Sequence, residues 1–153
     1  MTHPVTTQAR KEKAAFAEKA GIDEAFISDL VEEFYPRVRV DAQLGPIFEE
    51  HIADWPPHLA RMKDFWGSIA IEAGRFSGNP MIKHMAIDGL GQQHFETWLA
   101  LFNATLEDIA PSKAAQRYFK EKSEMIGASL LVGIEASQIR RKTQKQAKEK
   151  SAK

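Results

Sequence analysis

The chain has 153 residues, 43% hydrophobic and 27% charged, and its 21 basic and 21 acidic side chains leave no net charge. That length suits one domain which buries about two-thirds of its unfolded surface around a single core, and the composition is that of an ordinary globular protein. Cysteine is absent, which excludes disulfides, thiolate metal ligands, iron–sulfur clusters, a cysteine nucleophile and any thioether-linked cofactor, and leaves the redox compartment open.

Residues 1 to 22 read as a polar, lysine-rich extension. It has no apolar run of the kind a secretory signal or anchor needs, and no later stretch is long and apolar enough to span a bilayer, so a cytoplasmic protein is expected. Within the extension, residues 9 to 20 predict a short polar helix with little to bury, ended by Gly21. Asp23 then caps a strongly amphipathic helix, in which Phe26, Ile27, Leu30, Val31, Phe34, Tyr35 and Val38 recur at three-and-four spacing. Pro36 falls inside that pattern, where a missing N–H predicts a kink or a loosened last turn. Leu44-Gly45-Pro46-Ile47-Phe48 follows as a tight apolar corner.

Pro56-Pro57 opens the next helix, since the first turn has no use for those N–H groups. Its apolar stripe runs through Trp55, Leu59, Met62, Phe65, Trp66 and Ile69, and His58 points to the same side as Met62 and Phe65. Ser77-Gly78-Asn79 breaks the chain again, Pro80 restarts a short helix, and His84 is presented four residues later. Taken alone, His84 is either a half-buried core histidine satisfied by a backbone carbonyl or a metal ligand. Beyond Asp88-Gly89-Leu90-Gly91, a second apolar helix carries His94, Phe95, Trp98, Leu99, Phe102, Leu106 and Ile109, and Pro111 closes it. The last helix is predicted from about Ser112 to Ile139, with Tyr118, Phe119, Met125, Ile126, Leu130 and Ile134. No stretch alternates like a strand and there is no internal repeat, so residues 23 to 139 predict one all-α domain.

The zero net charge conceals an asymmetry: residues 138 to 153 carry seven basic side chains and one acid, +6, which leaves −6 for residues 1 to 137. A basic tail over residues 140 to 153 has the charge to touch nucleic acid or anionic lipid. It lacks aromatics for stacking on bases and an apolar face for a bilayer, so the expectation is a mobile, solvated helix end with no specific nucleic-acid or membrane role.

Five blocks stand in order: Phe34-Tyr35-Pro36-Arg37-Val38-Arg39, then Leu44-Gly45-Pro46-Ile47-Phe48, then Trp55 to Phe65-Trp66, then Gly78-Asn79-Pro80 to His84. The fifth is Phe95-Glu96-Thr97-Trp98-Leu99-Ala100-Leu101-Phe102. In sequence and spacing they resemble the successive signature blocks of the bacterial truncated haemoglobins, group III, over residues 23 to 135. The resemblance implies a globin-like two-over-two helical sandwich enclosing one non-covalent haem b, with O2, NO, CO or peroxide as ligand and an unidentified reductase as partner. By motif, His84 falls where that family has its proximal iron ligand, Tyr35 where it has the distal tyrosine, and His58 and Trp98 at two further distal positions. Met62 matches the apolar position one helical turn beyond the distal histidine. Pro36, the N-terminal extension and the basic tail depart from the pattern.

The residue chemistry agrees with that expectation. Haem is a large flat apolar disc, and Phe34, Phe48, Met62, Phe65, Phe95, Trp98 and Phe102 are able to solvate both of its faces. Plain core packing accounts for each of them equally well, and only their combination with His84 argues for a cofactor. Lys83 and Arg61 are candidates for the haem propionates, or ordinary surface cations. A phenol and an indole that reach a bound diatomic ligand each add a hydrogen bond of roughly 1.5 to 3 kcal/mol, and ~1.4 kcal/mol slows release tenfold. Ligand sensing or chemistry, by NO detoxification or peroxide turnover, is therefore expected in place of O2 transport. His58 is either the acid or base of heterolytic peroxide cleavage or a gate facing solvent. Two rivals remain: a cofactor-free helical interaction module, and a non-haem metal site built from His51, His58 or His94 with Glu50 and Asp54. The second lacks a convergent i, i+4 histidine pair.

Overall fold

The computed structural model describes residues 4–71, 84, 87 and 89–151. Among them the chain forms α1 (Pro4–Ala20), α2 (Glu24–Val40), α3 (Leu44–His51), α4 (Trp55–Ala70), α5 (Gln92–Ile109) and α6 (Lys113–Ser151). None of the described residues is in a strand, and no helix among them is long and apolar enough to cross a membrane.

Two layers cross at α2. It packs on α4 within its own layer and on α5 in the other, and α5 lies along α6. The amphipathic face read from the sequence is what allows this, because Leu30, Val31, Phe34 and Val38 are all at most 2% exposed. Asp23 starts α2 as predicted, its Oδ1 accepting the Phe26 N–H at 2.8 Å. Such a cap is typically worth about 1 kcal/mol.

Two local readings change, at the apolar corner and at the chain's ends. Pro36 does not break α2, which runs on to Val40. Both Pro36 and Glu32 are exposed, so water can serve the carbonyl that loses its N–H partner. The apolar corner is itself a helix, α3, because Asp41 Oδ2 accepts the Gln43 and Leu44 N–H groups at 3.0 and 2.8 Å and turns the chain into it. A Cβ at Gly45 would stand 2.6 Å from the Arg39 carbonyl oxygen, so only glycine lets α3 fold back this tightly on α2.

The second change is at the chain's ends. The last helix was predicted to stop near Ile139, yet α6 continues to Ser151 with every described residue from Arg140 onward exposed. Lysine, glutamine and alanine in that stretch are good helix formers and sustain it locally. At the other end α1 is longer than the predicted polar helix and packs on α6. Ala17 and Ala20 are buried, Phe16 meets Tyr118 at 5.5 Å, and Ser112 Oγ donates to the Ala20 carbonyl at 2.7 Å.

The core is most closely packed where the two layers meet. Phe102 lies between two indoles, stacked on Trp66 at 5.2 Å and on Trp98 at 5.1 Å. Across the layers, Tyr118 Oη donates to the Ile69 carbonyl at 3.2 Å, joining α6 to α4. Surface pairs such as Lys63 with Glu32, at 2.7 Å, add little to stability.

Candidate functional site

Side chains from three helices converge on Tyr35. It stands on the inner side of α2, 5% exposed. Its ring lies 5.0 Å from Phe34, 6.1 Å from Phe48 on α3, and 5.8 Å from Trp55 and 5.1 Å from His58 on α4. Phe34 passes the contact on to α5, meeting Trp98 edge-on at 5.2 Å. The residues predicted for the distal side, Tyr35, His58 and Trp98, are thus drawn into one aromatic cluster, with Phe34 and Phe48 among them.

Burial sets the chemistry of the phenol. Removed from water, the Tyr35 hydroxyl has its pKa pushed well above the ordinary tyrosine value, because the phenolate would have to be desolvated. It therefore stays a neutral O–H donor throughout the physiological range.

Trp55 was read from the sequence as part of the α4 stripe and the head of a signature block, with no role at the site, and it belongs to this cluster. Its ring touches Tyr35 and stacks with Phe48 at 6.3 Å, while the Arg39 guanidinium lies 4.5 Å over its face. Arg39 is held there by Glu49 at 3.0 Å. Trp55 Nε1 is buried with no hydrogen-bond partner, an omission that costs about 1–3 kcal/mol. A groove of about 550 Å³, lined by Arg39, Glu49, Trp55 and Leu59 among others, approaches Tyr35 from outside. The available signal for Trp55 was its position one residue ahead of Pro56-Pro57, which fixes where the first turn of α4 points.

The packing between α4 and α5 is uneven. In their second halves Trp66, Gly67 and Ala70 are buried against a layer that holds Phe102, Thr105 and Leu106. In their first halves Leu59, Met62 and Phe65 on α4, and Phe95, Trp98 and Leu99 on α5, are only half-buried. Large, half-buried apolar side chains on the inner stripes of two amphipathic helices suit contact with a flat apolar group. Together with the unsatisfied Trp55 N–H and a histidine at position 84, this set fits a haem. His84 is helical and half-buried, and its carbonyl accepts the Ile87 N–H at 3.0 Å.

The remaining predicted residues are distributed as follows. Phe102 is 1% exposed and belongs to the Trp66–Trp98 stack, where it supports Trp98 from behind. Phe95 faces α6, with Cδ1 3.8 Å from where a Cβ on Gly127 would stand. Arg61 is on the exposed side of α4. Lys83 lies outside the described residues. His94 has a local task, its Nδ1 accepting the Gly91 N–H at 3.0 Å at the start of α5. His51 is exposed, and no group of three or more metal-ligating side chains occurs among the described residues.

Residues 15–128 match the family model of the bacterial-like globins. Over 111 residues the chain is 32% identical to a group 3 truncated haemoglobin of Campylobacter jejuni, covering 70% of this chain and 87% of that protein. The chain is a bacterial-like globin of the truncated, group III kind. A crystal structure of a group III truncated haemoglobin from Campylobacter jejuni aligns with the globin at a TM-score of 0.70 and 30% identity, over 74% of this chain and 91% of that one. Haem binding with a small diatomic ligand follows from membership of the family. The family match begins inside α1 and ends inside α6, so part of α1 lies within the globin unit and the distal part of α6 lies beyond it.

Proposed function

We propose that this globin holds one haem b without covalent attachment, with His84 as the iron's protein ligand, and acts chemically on its small ligand in place of carrying O2. NO detoxification and peroxide turnover are the candidate reactions. The observation that carries the reading is the Tyr35 phenol, buried, neutral and ringed by Phe34, Phe48, Trp55 and His58.

When bound, the haem supplies an iron with one open position for O2, NO, CO or peroxide. Tyr35 offers that position an O–H donor which burial keeps protonated, and Trp98, reached through Phe34, offers an indole N–H. Each hydrogen bond to a negatively polarised ligand adds roughly 1.5 to 3 kcal/mol, and one alone slows release about tenfold. Two donors hold a ligand too long for delivery. His58, edge-on to Tyr35, would act either as the acid or base that peroxide cleavage requires or as a gate to the ligand, and its contact with the Tyr35 ring supports a role on that side. Phe34 and Phe48 keep water from the phenol. Arg61 and Lys83 are assigned to the propionates, the absence of cysteine in the sequence excludes a thioether link, and sustained turnover calls for a reductase to return electrons.

Stopped-flow O2 dissociation from the reduced protein tests the reading. Release far slower than from a transport globin, accelerated in Tyr35→Phe, is the expected result. Release at a carrier's rate, unchanged in that variant, overturns it.

A further inference from the structure

Three large apolar side chains on α6 are exposed, Met125 at 62%, Val132 at 68% and Ile139 at 66%. They recur every seven residues. Ser129, Ala136 and Thr143, also exposed, fall between and after them. Positions 125, 129, 132, 136, 139 and 143 thus advance by alternate steps of four and three along one side of the helix, which is the 3.5-residue repeat of a two-helix seam. Phe119, Ser123, Gly127, Ile134 and Ser137, buried against the globin body, occupy the opposite side of α6. The seam therefore faces away from the fold.

We propose that this seam pairs with the same seam of a second copy of the chain, the two α6 helices running antiparallel. The side-chain sizes are self-complementary in that arrangement. When Ala136 faces the partner's Ile139, Val132 faces the partner's Thr143, so at the centre of the seam each large residue meets a smaller one, and Met125 falls against the aliphatic stem of the partner's Lys150. Glu135 and Lys142 occupy the same flanking position one heptad apart, and antiparallel helices bring like flanks together. Glu135 then meets the partner's Lys142, and the reverse contact follows by symmetry.

Charge selects this orientation over the parallel one. Residues 138 to 153 carry +6 and residues 1 to 137 carry −6. Parallel helices would set two basic ends side by side, whereas antiparallel helices keep the two basic ends apart, at opposite ends of the pair. The exposed stretch of α6 from Arg140 to Ser151 also gains cover, and a single helix of that length is marginal in water. The overlap from residue 125 to residue 150 is about 39 Å long.

Sedimentation equilibrium of the haem-loaded, full-length protein over micromolar concentrations is expected to show a dimer. Ile139→Asp is expected to weaken it by roughly a hundredfold, with helical circular dichroism and the haem spectrum unchanged because the residue is exposed. Since the chain has no cysteine, orientation is read from disulfide formation. Ser129→Cys combined with Gln146→Cys should link two copies, and Ser129→Cys alone should not. A monomer at every concentration, or a dimer indifferent to Ile139→Asp, overturns the proposal. So does ready linkage of the Ser129→Cys variant alone, or a monomer that sediments with phosphatidylserine vesicles, which would give the seam to a lipid surface.

Discussion

The His58 ring meets the Tyr35 ring edge-on, with centroids 5.1 Å apart and planes at 89°. One sits on α4 and the other on α2, so the contact crosses the helix pair that forms one layer of the fold.

Ligand retention should reflect that contact. Tyr35→Phe is expected to speed O2 release by about tenfold or more, since it removes a hydrogen bond to a polarised ligand. Because the two rings touch, the effect of His58→Leu should not combine independently with it. Stopped-flow release from both single variants and the double variant measures the coupling, and rates that multiply simply would mean the rings act separately.

Burial of the Tyr35 phenol also predicts a pH dependence of stability. Its pKa is raised in the folded protein, so the unfolded chain ionises first, near the ordinary phenol value of about 10. Tyr35's contribution to stability is complete below that pH and falls as pH rises above it, because the folded state then holds the extra proton. Denaturant melts across the alkaline range should show a steeper decline for the wild type than for Tyr35→Phe. Parallel declines would place the phenol in contact with water.

The stack of Trp66, Phe102 and Trp98 is predicted to bear on stability first. Phe102→Ala, at a side chain that is 1% exposed, should cost about 3–5 kcal/mol in equilibrium unfolding. Phe95→Ala, only half-buried, should cost much less in the haem-free protein and instead quicken haem loss. Equal costs at the two positions would contradict the uneven packing between α4 and α5.

His84→Ala is expected to lose the pigment on gel filtration, or to keep it only when imidazole is added to stand in for the missing side chain. A variant that retains the parent's visible spectrum without imidazole would remove His84 as the iron's ligand.

Several features were legible in one dimension because their causes are local. Asp23 caps α2 through a residue three positions away, the apolar spacing of α2 and α4 fixes which side of each helix turns inward, and the absent thiols rule out a thioether link to haem. The signature blocks that carry Tyr35, His58, His84 and Trp98 likewise sit within short stretches, and the family match agrees with the resemblance they showed. Pro36 stands inside a helix that continues past it, and a sequence does not show that the carbonyl it deprives faces water. Leu44 to Phe48 was read as a corner, because the Asp41 cap that makes it helical acts only once the chain has turned.

By itself, then, the sequence determined that the chain is helical, the faces that α2 and α4 bury and the residue types able to hold and answer a haem ligand. Only the tertiary structure decided which aromatic rings touch: it placed Trp55 on Tyr35 beneath Arg39, gave His94 to a helix start, and left one side of α6 bare. The reason is physical. Periodicity encodes the direction in which a side chain leaves its own helix, whereas the neighbour it finds depends on how α2, α3, α4 and α5 cross, which no single helix specifies.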